Sequence, residues 1–278
     1  SGDQNQTVTI ERTMANGNNA YGGAIAYLRS GSGQSLTVID SYFSDNYADE
    51  NGGLFYLDGS VQSLNWTGCI ITNNTADVGG VVSMTSATTQ SILVSDCQIT
   101  RNQASEQGGV GSFTAGGTSL VLKNNAFQDN SGGYQGGAFI FNDVFHVSLD
   151  SIIWRNNSAE NGGHLYLTFD TGSAAILTLN NETFGAVGGG TESLYASASV
   201  PTSFEMTDLF LESNSVKHVT LVDSGTTANT LNITSLHTEA NQAALFDLHG
   251  WKVTQLGRLT VESSNPSQRV LTFDNSDQ

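Results

Sequence analysis

The sequence predicts an all-β fold, namely a right-handed single-stranded parallel β-helix of about nine or ten rungs with three short strands in each rung. Three observations predict it: an asparagine recurs at intervals of 27 to 30 residues, a Gly-Gly pair follows most of these asparagines, and apolar residues alternate with polar ones around both landmarks. A unit of about 28 residues without helical periodicity cannot bury its own apolar face, so its copies must stack. We expect residues 1–250 to form the rungs and residues 251–278 to form an irregular last rung or end cap of the same domain.

The first strand of each rung is predicted ten to eight residues before the recurring asparagine. Large apolar residues occupy both positions, as in Leu36 with Val38, which is the pattern of a strand with one buried face. Six residues before the asparagine the chain often carries a residue that suits a bend, such as Asp40 or Asp96. A second short apolar pair follows the bend, and we expect it to form the second strand.

Each recurring asparagine is interpreted as a structural corner residue. We expect it to adopt a left-handed turn conformation and to hydrogen-bond its side-chain amide to the rungs above and below, as stacked asparagines do. Val187 takes its place in the seventh rung. The predicted ladder comprises Asn18, Asn46, Asn74, Asn102, Asn130, Asn157, Asn214 and Asn241.

The third strand is predicted directly after a Gly-Gly pair. The glycines are expected to supply positive φ at that corner, since they carry no Cβ. Large apolar residues follow, as in Phe139 and Phe141, and a loop of about four to eight residues separates the asparagine from the glycines. These pairs begin at Gly22, Gly52, Gly79, Gly108, Gly136 and Gly162.

Two motifs of the repeat resemble a known family. The segments Gly22–Ile25 and Gly136–Phe139 read GGA followed by an apolar residue, and Phe43–Asn46 and Phe127–Asn130 read FxxN. Their combination resembles the repeat of the chlamydial polymorphic membrane proteins over residues 14 to 170. The resemblance implies a β-helical surface passenger that acts as an adhesive or structural module.

Composition narrows the range of partners. The formal net charge of −17 would repel phosphate backbones and anionic lipid headgroups, so we expect no nucleic-acid partner. The longest apolar run is far shorter than the roughly 20 residues that span a bilayer, so we expect no membrane insertion by this segment. The chain begins Ser-Gly-Asp-Gln, without Met or an apolar leader, and we expect it to be a processed or excised piece.

The leading functional hypothesis is a non-enzymatic extracellular or cell-surface module with a structural, adhesive or filament-forming role. Its partners would be other protein chains, through lateral or end-to-end self-association, or a cell-surface glycan or receptor. The alternative is a carbohydrate-active enzyme of the polysaccharide lyase or glycoside hydrolase type, because β-helices also carry such sites. Asp40 and Asp96 lie at the same bend two rungs apart, about 10 Å by rung spacing, within the range of a glycosidase carboxylate pair.

The bend role of these two aspartates is favoured over a catalytic role. Five histidines show no metal-ligand spacing, and we expect each to be exposed and uncoordinated, with two of them at outward positions of the third strand, His164 and His218. We therefore predict no catalytic residue, no metal site and no cofactor. The five are His146, His164, His218, His237 and His249.

Cys69 and Cys97 are 28 residues apart, each five residues before its asparagine, so they should stack on adjacent rungs and point inward. Their Cα atoms would be about 4.8 Å apart, which a disulfide tolerates, and both a disulfide and a buried reduced pair remain open. Six N-x-Ser/Thr sequons are usable glycan acceptors if the source is a eukaryote, and about that number is expected by chance. They lie at Asn5, Asn65, Asn73, Asn156, Asn181 and Asn232.

A partner face is predicted from apolar residues at outward positions. The second-strand position four residues before the asparagine carries Met14, Tyr42, Ile70, Ala126, Ile153 and Phe210. Outward positions of the third strand carry Leu54, Tyr56, Val81, Val110, Ile140 and Tyr166. Stacked at rung spacing, they would form an apolar band large enough to indicate contact with a partner. The competing interpretations are that bends turn some of these residues into the core, or that the band is ordinary surface.

Overall fold

A computed structural model describes residues 5–29, 31–170, 174–212, 215–225, 229–239, 245–261 and 271–274. Within these ranges every regular element is a β-strand, and the strands form one sheet of 26 strands and one of five. Their pairing is parallel, and each strand pairs with its equivalent in the next turn of the chain. The prediction of an all-β parallel β-helix is confirmed.

The first face of the solenoid is the longest ladder. Its register follows the sequence repeat: Val8 pairs with Leu36 and Leu36 with Leu64, so equivalent apolar side chains stack inward. Its strands are Gln6–Glu11, Gln34–Ile39, Val61–Thr67, Thr89–Ser95, the later parts of Gly111–Lys123 and Phe139–Asp150, then Ala175–Asn180, Thr202–Thr207 and the earlier parts of Thr230–Thr238 and Lys252–Val261.

The second face follows a one-residue bend, at which Asp40 and Asp96 have φ values of 47° and 57°. Aspartate tolerates this left-handed region better than most residues, which explains its choice at the bend. The strands of this face are Met14–Asn16, Tyr42–Ser44, Ile70–Thr72, Gln98–Thr100, Ala126–Gln128, Ile153–Arg155, Thr183–Phe184, Leu209–Leu211 and the later parts of Thr230–Thr238 and Lys252–Val261.

The third face follows the Gly-Gly corner. The first glycine of most pairs is left-handed, with φ of 62° at Gly52, and a Cβ on the second, Gly53, would lie 2.0 Å from the carbonyl oxygen of Gly80. Stacked second glycines therefore let neighbouring rungs approach closely. The strands of this face are Ala26–Arg29, Phe55–Asp58, Val82–Ala87, the earlier parts of Gly111–Lys123 and Phe139–Asp150, then Leu165–Phe169, Glu192–Ala198, Lys217–Asp223, Phe246–His249 and Leu271–Asp274.

A short fourth ladder replaces the predicted loop between the asparagine and the glycines. Because this segment has nearly the same length in the first five turns, its copies pair in parallel and form the five-stranded sheet. Single bridges at Ser158 continue it into the next turns. Its strands are Asn19–Gly22, Tyr47–Asn51, Thr75–Val78, Gln103–Gln107 and Ser131–Gly132.

The core is a continuous apolar column along the solenoid axis. Its largest side chains, such as Trp66 and Trp154, are fully buried, and aromatic rings stack between rungs, with 4.7 Å between the ring centroids of Phe127 and Trp154. At the C-terminal end, Lys252–Val261 pairs with Thr230–Thr238 with a shift of register. The domain boundary at residue 250 stays a prediction.

Candidate functional site

The asparagine ladder is built at the corner after the second face. From Asn18 to Asn157, the backbone N–H and the side-chain Nδ2 of each asparagine both donate to Oδ1 of the next asparagine. For Asn74 and Asn102 these distances are 3.0 and 2.9 Å, and for Asn102 and Asn130 both are 3.0 Å. The chain of bonds runs from Asn18 through Asn46 to Asn157, and Asn46 to Asn157 are buried. Asn214 and Asn241 lie outside the described residues.

The expected left-handed conformation of these asparagines is wrong. The residue before each of them has positive φ instead, for example 57° at Asp45 and 56° at Arg101. Because the left-handed residue comes one position earlier, the backbone N–H and the side-chain Nδ2 of the asparagine can both donate to the neighbouring Oδ1. The preceding position accordingly carries Gly, Asp, Asn or Arg.

His164 ends the ladder. The next turn has Val187 at the ladder position, which offers no side-chain acceptor. Asn157 Nδ2 donates instead to His164 Nδ1 at 3.0 Å, and His164 Nε2 lies 3.2 Å from the carbonyl oxygen of Gly185. Since a carbonyl only accepts, the proton of the neutral ring is on Nε2.

The expectation that His164 and His218 face outward is wrong, because both are fully buried. Their corner contains a bulge, as at His218 and Val219, which both donate their N–H to the carbonyl oxygen of Leu245, at 3.2 and 2.9 Å. Two successive residues therefore point inward and the alternation is broken. Burial lowers the pKa of His164 to about 3 and that of His218 to about 4, so both rings are neutral at neutral pH.

Because of the same bulge, part of the predicted partner face lies in the core, and that part of the prediction is wrong. Leu54 and Phe55 both donate to Val81 O, at 2.8 and 3.0 Å, and Leu54, Val81 and Val110 are fully buried core residues. Ile140 is also fully buried, enclosed between its register neighbours Ser112 and Tyr166.

Two tyrosines predicted on the third strand remain at its outer surface. Tyr56 and Tyr166 are half-buried. Each stacks on a tyrosine of an adjacent turn, with ring centroids 4.7 Å apart for Tyr27 and Tyr56 and 4.8 Å apart for Tyr166 and Tyr195. The rings are therefore engaged with each other along the solenoid axis.

A second column, here called the corner ladder, lies at the bend between the first and second faces. Thr13 N donates to Ser41 Oγ at 3.1 Å, Cys69 N to Cys97 Sγ at 3.3 Å, and Cys97 N to Asn125 Oδ1 at 2.9 Å. Both cysteines are free and buried, and the Cys97 sulfur accepts a hydrogen bond from the neighbouring rung.

Glu182 continues the corner ladder. It accepts hydrogen bonds from Ile152 N at 3.2 Å and from the indole Nε1 of Trp154 at 2.9 Å, and it is fully buried. Burial raises its pKa to about 8, so the carboxyl holds its proton at neutral pH. This residue is not among those predicted from the sequence, although it stands five positions before Val187, as each cysteine stands before its asparagine.

A glutamine column at the start of the first face was also missed. Gln34 Nε2 donates to Gln6 Oε1 at 3.2 Å, Gln90 Nε2 donates to Gln62 Oε1 at 2.9 Å, and Thr118 Oγ1 donates to Gln90 Oε1 at 3.1 Å. The glutamines recur every 28 residues, so the repeat contained the signal.

Asp40 and Asp96, the candidate carboxylates of a glycosidase, lie at the bend between the first and second faces, and each contacts the next rung. Asp40 Oδ1 lies 2.3 Å from the place that a Cβ on Gly68 would occupy, so this carboxylate leans over the glycine of the next rung. Asp96 Oδ1 accepts a hydrogen bond from Asn124 Nδ2 at 3.1 Å. Both carboxylates are therefore directed along the solenoid axis toward the neighbouring rung.

An apolar row remains exposed on the second face, here called the stripe. The register stacks Met14, Tyr42 and Ile70 in one part and Ile153, Thr183 and Phe210 in another, with Gln98 and Ala126 between them. Met14, Ile70 and Ile153 are 76, 45 and 43% exposed, and Tyr42 and Phe210 are half-buried. Two shallow pockets of about 250 and 410 Å³ lie between the stripe and the bend.

The sequons lie on the surface. Asn5, Asn73, Asn156 and Asn181 are exposed, and Asn65 and Asn232 are half-buried. Asn181 Nδ2 donates to Ser151 Oγ at 3.1 Å. Their glycosylation stays a prediction.

Two ion pairs join rungs in the later turns. Arg155 pairs with Glu212 across two rungs, over Gly185, and Lys217 pairs with Asp247. In the described parts of the chain, no group of three or more His, Cys, Asp or Glu is placed to hold a metal ion. Over the same residues, no helix has the length and apolar character needed to cross a membrane.

Comparison with known proteins adds no relative. No protein-family model, no curated protein and no solved structure matches this chain.

Proposed function

We propose that this chain is a non-enzymatic β-solenoid that acts outside the cell or at its surface as a structural, adhesive or filament-forming module. The observation that carries the proposal is the stripe. Met14, Ile70 and Ile153 stay substantially exposed, at 76, 45 and 43%, whereas the buried asparagines of the ladder are used in bonds between rungs. An exposed apolar row on an otherwise regular surface is typical of a contact with a partner.

The repeat motifs support the proposed location. GGA with a following apolar residue and FxxN occur together in turns that form the regular part of the solenoid. They resemble the repeat of chlamydial polymorphic membrane proteins, and we propose a surface passenger of that kind. A parallel β-solenoid is the fold that such a passenger requires.

The proposed partner binds laterally along the stripe. It is another protein chain, including a second copy of this one, or a cell-surface glycan or receptor. The net charge of −17 disfavours nucleic acid, because the phosphate backbone would be repelled.

The enzyme alternative has less support. A glycosidase needs two carboxylates directed at one sugar linkage, whereas Asp96 accepts a bond from Asn124 and Asp40 leans over Gly68. We expect incubation with a panel of polysaccharides to release no new reducing ends and no unsaturated products. Cleavage that is abolished by Asp40→Asn or Asp96→Asn would overturn the proposal.

The partner role of the stripe can be tested with a double lysine variant and a matched control variant. Ile70→Lys with Ile153→Lys places two ammonium groups on the stripe, and Leu93→Lys with Ile176→Lys places two on the first face, at side chains of similar exposure. Both double variants should keep the melting temperature of the parent. Self-association in sedimentation, or binding to cells in pull-down assays, should be lost in the first and kept in the second. Equal behaviour of the two variants would contradict a partner role for the stripe.

A further inference from the structure

Two nucleophilic side chains stand one above the other in the corner ladder. Cys69 Sγ lies 3.4 Å from Thr67 O, and Cys97 Sγ lies 3.1 Å from Ser95 O. Thr67 and Ser95 are register partners, so the two thiols occupy equivalent places one rung apart. Rungs are spaced by about 4.8 Å, so the Cα atoms lie within the 4.4–6.8 Å that a disulfide accepts.

The two thiols differ in reactivity. Hydrogen bonding with the Cys97 thiol and with the backbone N–H of Ser41 lowers the pKa of Cys69 below its ordinary value, against the opposing effect of burial. The pKa of Cys97 is raised, because its thiol donates to Cys69 and because it is buried. The thiolate is the reactive form, so Cys69 is the nucleophile of the pair and Cys97 keeps its proton.

A small reagent can reach this corner. Gly68, beside Cys69, has no side chain and borders the pocket of about 250 Å³ together with Ser41. Cys97 itself borders the pocket of about 410 Å³. A peroxide is small enough for such a path, whereas both sulfurs are too deep for a bulky disulfide reagent, since Cys69 and Cys97 are 0 and 2% exposed.

We propose that Cys69 and Cys97 form an oxidation site, at which a small peroxide converts the stacked thiols into a disulfide between adjacent rungs. The Cys69 thiolate attacks one peroxide oxygen, the O–O bond breaks, and a sulfenic acid and hydroxide are formed. The sulfur of Cys97 then attacks the sulfenic sulfur, the S–O bond breaks, and the thiol proton leaves with the hydroxide as water. The two thiols together lose two electrons and two protons, and the peroxide is reduced to water.

The reaction requires one movement. The Cys69 side chain turns from Ser41 toward Cys97, so Ser41 N loses its sulfur acceptor while the rung-to-rung pairing of the backbone is kept. Disulfides persist in extracellular surroundings, so the site would stay oxidised there. The inference stands on the geometry of the pair and holds whether or not the stripe binds a partner.

The test treats the complete chain with hydrogen peroxide and then counts thiols in denaturant and measures the intact mass. We expect both free thiols to disappear and the mass to fall by two hydrogens, with no dimer on a non-reducing gel. Unchanged thiols, or a cross-link between chains, would overturn the proposal.

Two serine variants resolve the order of the steps. A hydroxyl keeps a hydrogen-bond acceptor at the ladder position, as Ser41 does, and melting curves verify the fold. In Cys97→Ser, we expect a sulfenic acid on Cys69 that dimedone traps. In Cys69→Ser, we expect Cys97 to stay reduced at the same dose. Oxidation of Cys97 in that variant as fast as that of Cys69 in the other would contradict the assigned roles.

Discussion

The turns before residue 150 and the turns after it have the same fold, but different types of side chain form the hydrogen bonds at their corners. In the earlier turns, neutral amides stack at constant intervals, as in Asn74, Asn102 and Asn130. In the later turns, imidazole and carboxyl groups form such hydrogen bonds. His164 ends the asparagine ladder, and Glu182 continues the corner ladder. An amide carries no charge at any ordinary pH, whereas these two groups titrate. The stability of the two regions should therefore respond differently to pH.

The largest effect is expected from breaking the amide ladder in the earlier turns. Asn102→Ala removes the acceptor of both the N–H and Nδ2 of Asn74, which are buried. Each unpaired buried group costs about 1 to 3 kcal/mol, so chemical denaturation should show a loss of at least about 2 kcal/mol with no dependence on pH.

The matched control is Asn65→Ser, which changes a half-buried asparagine on the outer side of the first face. Its effect on the free energy of unfolding should stay within about 0.5 kcal/mol, as for other surface changes. An Asn102→Ala protein as stable as this control would refute the ladder.

The next effect concerns Glu182 in the later turns. Its folded pKa of about 8 lies above the unfolded value of 4.5, so the folded form keeps a proton that the unfolded form loses. Stability from this group is fully present below pH 4.5 and is lost as pH rises toward 8, by about 1.4 kcal/mol per pH unit.

The buried histidines act in the opposite direction. Their folded pKa values of about 3 and 4 lie below 6.5, so they cost stability as pH falls below 6.5. The free energy of unfolding should therefore be greatest near pH 6.5 and decline toward pH 8. In Glu182→Gln, the decline between these two pH values should be lost, and a decline equal to that of the parent would exclude Glu182 as its cause.

The smallest effect is expected at the Arg155–Glu212 pair. Arg155 is about half exposed, and ion pairs of this kind contribute only about 0 to 1 kcal/mol. Arg155→Met should lower the free energy of unfolding by about 0.5 kcal/mol at low salt and by less at high salt. A loss above about 2 kcal/mol would show that the pair holds the later turns together.

Much of this arrangement was accessible from the sequence, because a repeat of 28 residues fixes which side chains stack. The asparagine ladder, the glycine corner and the neighbouring positions of Cys69 and Cys97 follow from that interval alone. The bulge after the Gly-Gly pair does not, because it depends on two N–H groups sharing one carbonyl, as Leu54 and Phe55 share Val81 O. Periodicity therefore assigned the wrong side to Leu54 and to His164.

The roles of Glu182 and His164 were hidden for another reason. Glu182 replaces a corner-ladder residue of a different chemical type, and its partner Trp154 lies on a neighbouring rung. His164 stands outside the asparagine column and supplies the acceptor that Val187 lacks. A pattern search for one residue type cannot find such replacements. Searching each column for any hydrogen-bonding side chain would have found Glu182 at the position of the cysteines.

Amide hydrogen exchange, corrected for intrinsic rates and measured from pH 6.5 down to pH 4, compares the two regions most directly. Protonation of an opened His164 favours opening, so protection at the corner around Gly162 and His164 should fall by about tenfold per pH unit. Protection at the corner of Asn74 and Asn102 should stay constant over the same range. Equal loss of protection at both corners, or no loss at either, would contradict the account.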